Sequence, residues 1–159
     1  MGFWKKLFKD DVREVDYYAE GLELMAVGKY HDALTSFRLA LRDDPQDPTV
    51  LQQVAMAYTR IGMTEQAAKT YRMVLERKPR SAGAHYGLAF LLVREGRNDE
   101  AVPHLEAFLA APPDGAEASR HVEHARRTLA ELRGEAVPES ESTAGETASG
   151  EIVPGEDAR

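Results

Sequence analysis

The chain has 159 residues, of which 43% are hydrophobic and 30% charged, so it is long and apolar enough for one domain with a buried core. Its net charge of −7 at pH 7 disfavours general nucleic-acid binding, because an acidic chain gains little from neutralising phosphates. The sequence contains no cysteine, which excludes disulfides, thiolate metal ligands and cysteine nucleophiles and fits a reducing compartment.

The first predicted segment, residues 1–13, is aromatic and basic. Phe3, Trp4, Leu7 and Phe8 fall on one face of a helix, and three lysines lie beside them. Three hypotheses compete for this segment. It caps the body of its own chain or fills its own groove, it docks into a neighbouring copy and drives self-assembly, or it lies in a membrane interface with its lysines on anionic head groups.

The same segment bears on localisation. Its lysines interrupt the apolar run of 7–15 residues that a secretory signal needs. No stretch of the sequence approaches the ~20 apolar residues of a membrane-spanning helix. We therefore expect a cytoplasmic protein, with the inner face of a membrane as the alternative if residues 1–13 bind lipid.

From residue 14 onward the sequence repeats every 34 residues. Glycine recurs at Gly28, Gly62 and Gly96 with this spacing. Six further columns keep the same register: Ala33, Ala67 and Ala101; Phe37, Tyr71 and Leu105; Leu41, Leu75 and Leu109; Pro45, Pro79 and Pro113; Gly21, Ala55 and Ala89; and Leu24, Tyr58 and Leu92. A fixed period of this length is typical of stacked helical repeats.

Each repeat unit predicts two helices. In the first unit the apolar spacing predicts helices over about residues 14–27 and 30–42, separated by Gly28, since glycine adopts the left-handed conformation that ends a helix at little cost. Gly21 is small where the two helices cross, and Phe37 fills the space beside it. Each unit ends before a proline, because the residue before proline avoids the helical region.

The last units carry two deviations. Pro103 falls inside a predicted helix, and it is tolerated in the first turn if Asn98 is the N-cap. Residues 116–133 carry one further helical pattern, with an apolar stripe and a charged opposite face, and no partner helix follows. This pattern predicts a capping helix, which repeat arrays need at their ends.

The period and the residue types resemble the tetratricopeptide repeat family. The resemblance implies an all-α fold: three helix-pair repeats and a C-terminal capping helix, which form a right-handed superhelical α-solenoid over residues 14–133. It also implies a concave groove, lined by the first helix of each pair, in which protein partners usually bind. Such a pattern is specific for fold and says little about function.

The repeat register assigns the residues that line this groove. They are mainly aromatic, aliphatic or basic, as at the centres of protein interfaces: Tyr18, Leu22, Met25, Gln52, Met56, Arg60, Tyr86, Phe90 and Arg94. The resemblance further implies that the carboxylate clamp of chaperone adaptors is absent, because apolar residues occupy the corresponding places. We expect an apolar or amphipathic helical ligand, with arginines, including Arg120 and Arg127, available for its acidic groups.

Catalytic and metal sites are not predicted. There is no glycine-rich phosphate loop and no nucleophile elbow. His121 and His124 lie three residues apart, but a zinc site needs three or four ligands, so we interpret them as surface residues. His85 is expected to be packed and hydrogen-bonded. No enzyme activity and no cofactor are expected.

The C-terminal tail, residues 134–159, contains seven acidic residues and one arginine, with almost no bulky apolar residue. Such a composition predicts disorder, because too little surface can be buried to offset the ordering entropy. Its acids are a candidate partner for the groove arginines. The sequence therefore predicts a protein-binding scaffold or adaptor, with a self-assembling or membrane-recruited scaffold as the alternative.

Overall fold

The computed structural model describes residues 15–136, and every regular element in this range is an α-helix. Seven helices follow one another along this part of the chain: α1 Tyr17–Ala26, α2 Tyr30–Ala40, α3 Pro48–Arg60, α4 Thr64–Arg77, α5 Ala82–Arg94, α6 Asn98–Ala110 and α7 Ala116–Arg133. They form three consecutive pairs and one final helix, and each packs mainly on its neighbours in sequence. This confirms the predicted all-α repeat fold.

A side chain caps the first helix of every pair. Asp16 accepts a hydrogen bond from the Ala19 amide (3.0 Å), and Asp47 accepts one from the Thr49 amide (2.8 Å). The Ser81 hydroxyl caps α5 in the same way. Capping by Asp or Ser satisfies amide groups that have no partner in the first turn, typically worth about 1 kcal/mol.

Glycine ends the first helix of every pair. Gly28, Gly62 and Gly96 have φ values of 78°, 81° and 72°, in the left-handed region that glycine adopts most easily. The amide of the residue after each glycine then bonds back to a carbonyl five residues earlier, as from Lys29 to Leu24 (2.9 Å). This is the Schellman arrangement, and it explains why glycine recurs every 34 residues.

The core lies between the two helices of each pair and continues from pair to pair. Phe37, Leu88 and Leu105 are fully buried in three successive clusters along the solenoid. The ring of Phe37 lies directly against Gly21, so a Cβ at that position would overlap it. The small residue at the helix crossing is therefore required by packing, as the sequence predicted.

Three predicted details need correction. The first helix begins at Tyr17, because Asp16 is its N-cap. The second ends at Ala40, after which the Arg42 amide bonds to the Leu39 carbonyl in a tighter turn. The N-cap of α6 is Arg97 rather than Asn98, so the bond that Pro103 cannot donate lies just beyond the first turn. The helix nevertheless continues through this exposed proline to Ala110.

The last helix has the bounds and the two faces that the sequence predicts. Ala125 and Leu129 are buried on its apolar stripe, and they pack against Leu105 and Phe108 of α6. Its charged residues are exposed: Arg120, Glu123, Arg126, Arg127 and Glu131. The helix thus covers the end of the core in the manner of a cap.

Candidate functional site

The inner face of the solenoid is built by alternate helices, since each helix reverses the direction of the one before it. Between α3 and α5 this face contains a hollow of about 380 Å³, here called the α3–α5 hollow. Six of the nine predicted groove residues line it: Gln52, Met56, Arg60, Tyr86, Phe90 and Arg94. Met56 is 37% exposed, and the rings of Tyr86 and Phe90 are half-buried, so apolar surface is open to a ligand here.

The three predicted residues of α1 do not join this hollow. Tyr18 packs against Phe37, with ring centroids 6.1 Å apart, and Met25 lies against the same core cluster. Tyr18 also borders a separate hollow of about 790 Å³ beside the start of α1, which Val15 and Asp43 help to line. Leu22 is exposed. The structure therefore concentrates the predicted site on α3 and α5.

Two glycines of α5 shape the floor of the α3–α5 hollow. Gly87 lies against the ring of Tyr71, and Gly83 lies against the side-chain amide of Gln52. A Cβ at Gly87 would overlap that ring, so the glycine lets Tyr71 of α4 reach the inner face. Burial raises the pKa of the Tyr71 phenol, partly offset by a hydrogen bond with Thr59. Tyr71, Thr59, Gly83 and Gly87 were not predicted from the sequence as part of the site.

One wall of the hollow belongs to an aromatic–histidine cluster: Tyr86, Phe90, Phe108 and His121 line the hollow, and His124 packs on Tyr86 and Phe90. The ring of His124 stacks on Phe90, with centroids 4.3 Å apart and planes 11° apart. A hydrogen bond of 2.9 Å joins the Tyr86 hydroxyl and His124 Nδ1, and His121 meets the Tyr86 ring edge-on at 4.8 Å. Burial raises the pKa of Tyr86.

His124 is exposed and His121 partly buried, so the interpretation of both as surface residues stands, but it did not include their contacts with the aromatic residues of α5. His121 lines the hollow, and His124 packs on the Phe90 ring, because α7 lies along α5. A sequence signal existed, since His124 follows Phe90 by one 34-residue period and so occupies an inner-face column. Extending the repeat register into the capping helix would have found it.

Arginine side chains mark one end of the hollow. Arg60 is the last residue of α3 and Arg94 the last of α5, and both are exposed. Within residues 15–136 neither arginine forms an ion pair or a side-chain hydrogen bond. Arg127, expected to be available to a ligand, instead pairs with Glu123 at 3.1 Å.

A second histidine pair lies between α5 and α6. His85 Nδ1 is 3.0 Å from His104 Nδ1, and His85 Nε2 bonds to the Pro79 carbonyl at 2.8 Å. His85 is thus packed and hydrogen-bonded, as predicted. Burial, and then the neighbouring His85 and Arg72, hold the pKa of His104 below its ordinary value of 6.5, although Glu100 opposes this shift.

The remaining predictions concern metal binding, membrane association and the two ends of the chain. No group of three or more histidine and acidic side chains suited to a metal ion occurs between residues 15 and 136. Among the described helices, none is long and apolar enough to cross a membrane. The predictions for Phe3, Trp4, Leu7 and Phe8, and for residues 137–159 of the tail, lie outside the described residues.

Comparison with known proteins identifies the family. One tetratricopeptide repeat profile matches residues 53–116 and 86–140, and a second matches residues 24–81. The chain belongs to the tetratricopeptide repeat family. Anaphase-promoting complex subunit 7 of Arabidopsis thaliana is 38% identical to it over 104 residues, which are 64% of this chain and 18% of that protein. The chain spans less than a fifth of the length of the curated relatives it matches.

Solved structures share the tetratricopeptide fold at low sequence identity. The type III secretion chaperone SycD of Yersinia enterocolitica, solved with a peptide of the translocator YopD, has a TM-score of 0.68 and 17% identity, covering 74% of this chain and 89% of that one. The Sgt2 repeat domain of Aspergillus fumigatus has a TM-score of 0.63 and 22% identity, covering 84% and 89%. At these identities the likeness establishes the fold.

Proposed function

We propose that this tetratricopeptide repeat protein is an interaction scaffold that binds an apolar or amphipathic helical segment of another protein. The observation that carries the proposal is the α3–α5 hollow, with an exposed Met56, half-buried Tyr86 and Phe90, and Arg60 and Arg94 at one end. Apolar surface of this kind on a folded protein marks an interaction site.

The shape and chemistry of the hollow favour a helical ligand. A volume of about 380 Å³ accepts one or two large side chains rather than a whole peptide. An amphipathic helix presents such anchors at steps of three and four residues, with polar groups beside them. Met56 adapts its shape to different anchors because its side chain is unbranched and polarisable.

The charges of the site favour acidic groups beside the anchors. Arg60 and Arg94 come from the ends of successive inner helices, and each can bind a carboxylate through two N–H groups. Apart from these two arginines, the groove residues Gln52, Met56 and Phe90 are uncharged. The ligand proposed is therefore apolar at its centre and acidic on the side that meets the arginines.

Among proteins of this fold, peptide binding is documented for SycD, which was solved in complex with a peptide of YopD. That precedent supports a peptide-binding role for this chain. The alternative role, self-assembly or membrane recruitment through Phe3, Trp4, Leu7 and Phe8, stays a prediction from the sequence.

A matched pair of methionines tests the proposed site. Met56 and Met63 are both 37% exposed, but Met56 lines the hollow whereas Met63 lies in the turn between α3 and α4. Peptides selected from a random phage-displayed library on the full chain would be titrated against Met56→Glu and Met63→Glu by fluorescence anisotropy. We expect Met56→Glu to weaken binding by about tenfold or more, because a charge enters an apolar site.

Met63→Glu should leave the affinity within about twofold, since surface changes outside a site usually have small effects. Retained binding by Met56→Glu, or equal losses in the two variants, would contradict the proposal. The methyl signals of methionine would report the same result independently, with the Met56 signal shifting on peptide addition and the Met63 signal unchanged.

A further inference from the structure

We propose that the chain carries a competing ligand for its own hollow: the segment Glu151–Asp157 of the tail docks in cis on the α3–α5 hollow. Ile152 and Val153 would enter the apolar part, and Glu151, Glu156 and Asp157 would meet Arg60 and Arg94. The inference rests on the proposed function, because the tail and an external ligand would use the same surface.

The first argument is charge complementarity. Residues 137–159 contain six acidic residues and one arginine, and so they hold most of the chain's net charge of −7. Arg60 and Arg94 are exposed and form no ion pair within residues 15–136. Two uncompensated cations on the rim of an apolar site favour an acidic segment over a neutral or basic one.

The second argument is the composition of the tail itself. Apart from Val137, its bulky apolar residues are Ile152 and Val153, which are adjacent and bracketed by acids in the order Glu-Ile-Val-Pro-Gly-Glu-Asp. An extended stretch from Glu151 to Glu156 spans roughly 16 Å. Packed helices lie about 8–10 Å apart and arginine side chains add to that, so both acidic ends are within reach of the rim.

The third argument is where the described chain ends. Helix α7 runs alongside α5 in the same direction, since His121 meets Tyr86 and His124, about one turn later in α7, meets Phe90, about one turn later in α5. The C-terminal end of α7 therefore lies on the same side of the helix array as the C-terminal end of α5, where Arg94 is located. The tail thus begins beside the arginines and not at the opposite end.

Length permits the contact. Residues 137–150, the stretch between Ala136 and Glu151, reach at most about 45–50 Å when extended, well beyond the width of two neighbouring helices. A short tether keeps its ligand at an effective concentration on the order of millimolar. Even a weak site would then be substantially occupied, and an external ligand would have to displace the tail.

The test uses the full chain and its lack of cysteine. Ser149→Cys provides a single attachment point for a nitroxide label, three residues before Ile152. The methyl signals of Met56, Met63 and Met25, assigned by single substitutions, report proximity to the label through line broadening. We expect loss of the Met56 signal with the oxidised label and recovery on reduction, while Met63 keeps its signal.

Two full-length variants separate a specific contact from random encounters. Arg60→Glu combined with Arg94→Glu changes two exposed side chains, and Ile152→Asp combined with Val153→Asp changes only the tail. Each pair should restore the Met56 signal. An unbroadened Met56, or broadening that both pairs leave intact, would overturn the proposal.

A mixed sample distinguishes cis from trans docking. Label on one population and methionine detection on another report only contacts between chains, so Met56 broadening that persists in this mixed sample would overturn the cis proposal. Peptides selected for binding to the chain distinguish a failure of the tail proposal from a failure of the proposed function. If they shift Met56 while the tail does not broaden it, the tail proposal alone is wrong; if neither affects Met56, the proposed function is wrong as well.

Discussion

An aromatic residue occupies the same repeat column in the first and second repeats, but its ring packs in a different direction in each. At the first, Phe37 is fully buried against Gly21 of its own repeat. At the second, Tyr71 occupies the equivalent column, Ala55 replaces the glycine, and the Tyr71 ring lies against Gly87 of the next repeat instead. Both rings are buried, at 0% and 3% exposure, and the position of one glycine decides whether the ring packs within its own repeat or against the next repeat, where it borders the hollow.

This difference explains why the hollow forms where it does. The residue of α3 that is equivalent to Gly87 is Gln53, so the first boundary lacks the space that Gly87 leaves beside Tyr71. Tyr71 and Thr59 both line the hollow, and their hydroxyl groups give it polar points within a largely apolar lining. A change of residue within one repeat can therefore create a site without altering the fold.

The largest predicted effect is a loss of stability that distinguishes a core residue from a residue of the hollow. Phe37→Ala should lower the free energy of unfolding by about 3–5 kcal/mol, because it leaves a cavity in a fully enclosed position. Phe90→Ala removes a half-buried ring and should cost roughly 1 kcal/mol. Urea unfolding followed by circular dichroism would measure both. Equal losses would show that Phe90 is a core residue and not part of an open site.

The next effect compares the two glycines. Gly21→Ala should destabilise the fold by about 1–3 kcal/mol, since its methyl group overlaps a ring that cannot move. Gly87→Ala should cost less, because the outer end of Tyr71 borders the hollow and can shift into it. The same unfolding measurement applies. A larger loss for Gly87→Ala would mean that Tyr71 is as tightly enclosed as Phe37.

Sequence reasoning identified the features that repeat, and it was weaker for those that do not. The turns at Gly28, Gly62 and Gly96 follow from one local rule, so their spacing alone predicted the helix pairs. Met56 and Phe90 were likewise placed on the inner face by register. Side-chain direction was not predictable for Tyr71, because the choice between Ala55 and Gly87 depends on packing between repeats.

The capping helix illustrates the same limit, because its bounds were predictable from the sequence and its side-chain contacts were not. Its bounds were predicted correctly, since its apolar stripe is a local pattern. The contacts of His121 and His124 with Tyr86 and Phe90 were not predicted, because they depend on how the capping helix packs on α5. Tyr18 and Met25 were predicted as groove residues, but in the structure both are partly buried against the first core cluster.

The smallest effect lies in the third repeat, where His85 and His104 replace a leucine and a threonine of the second repeat. The pKa of His104 is lowered in the folded state by burial, His85 and Arg72, against the opposing charge of Glu100. Below about pH 6.5 the unfolded chain therefore binds more protons at this site than the folded chain. The free energy of unfolding should fall as the pH drops through this range.

His104→Gln should remove this contribution and flatten the pH dependence, because glutamine keeps a hydrogen-bonding side chain but does not titrate. His31→Gln, a change on the exposed face of α2, is the matched control and should leave the slope unaltered. Urea unfolding between about pH 5 and 8 would give both profiles. A slope unchanged by His104→Gln would mean that the fall in stability arises from groups other than the histidine pair, and the third repeat would then resemble the second in its response to protons.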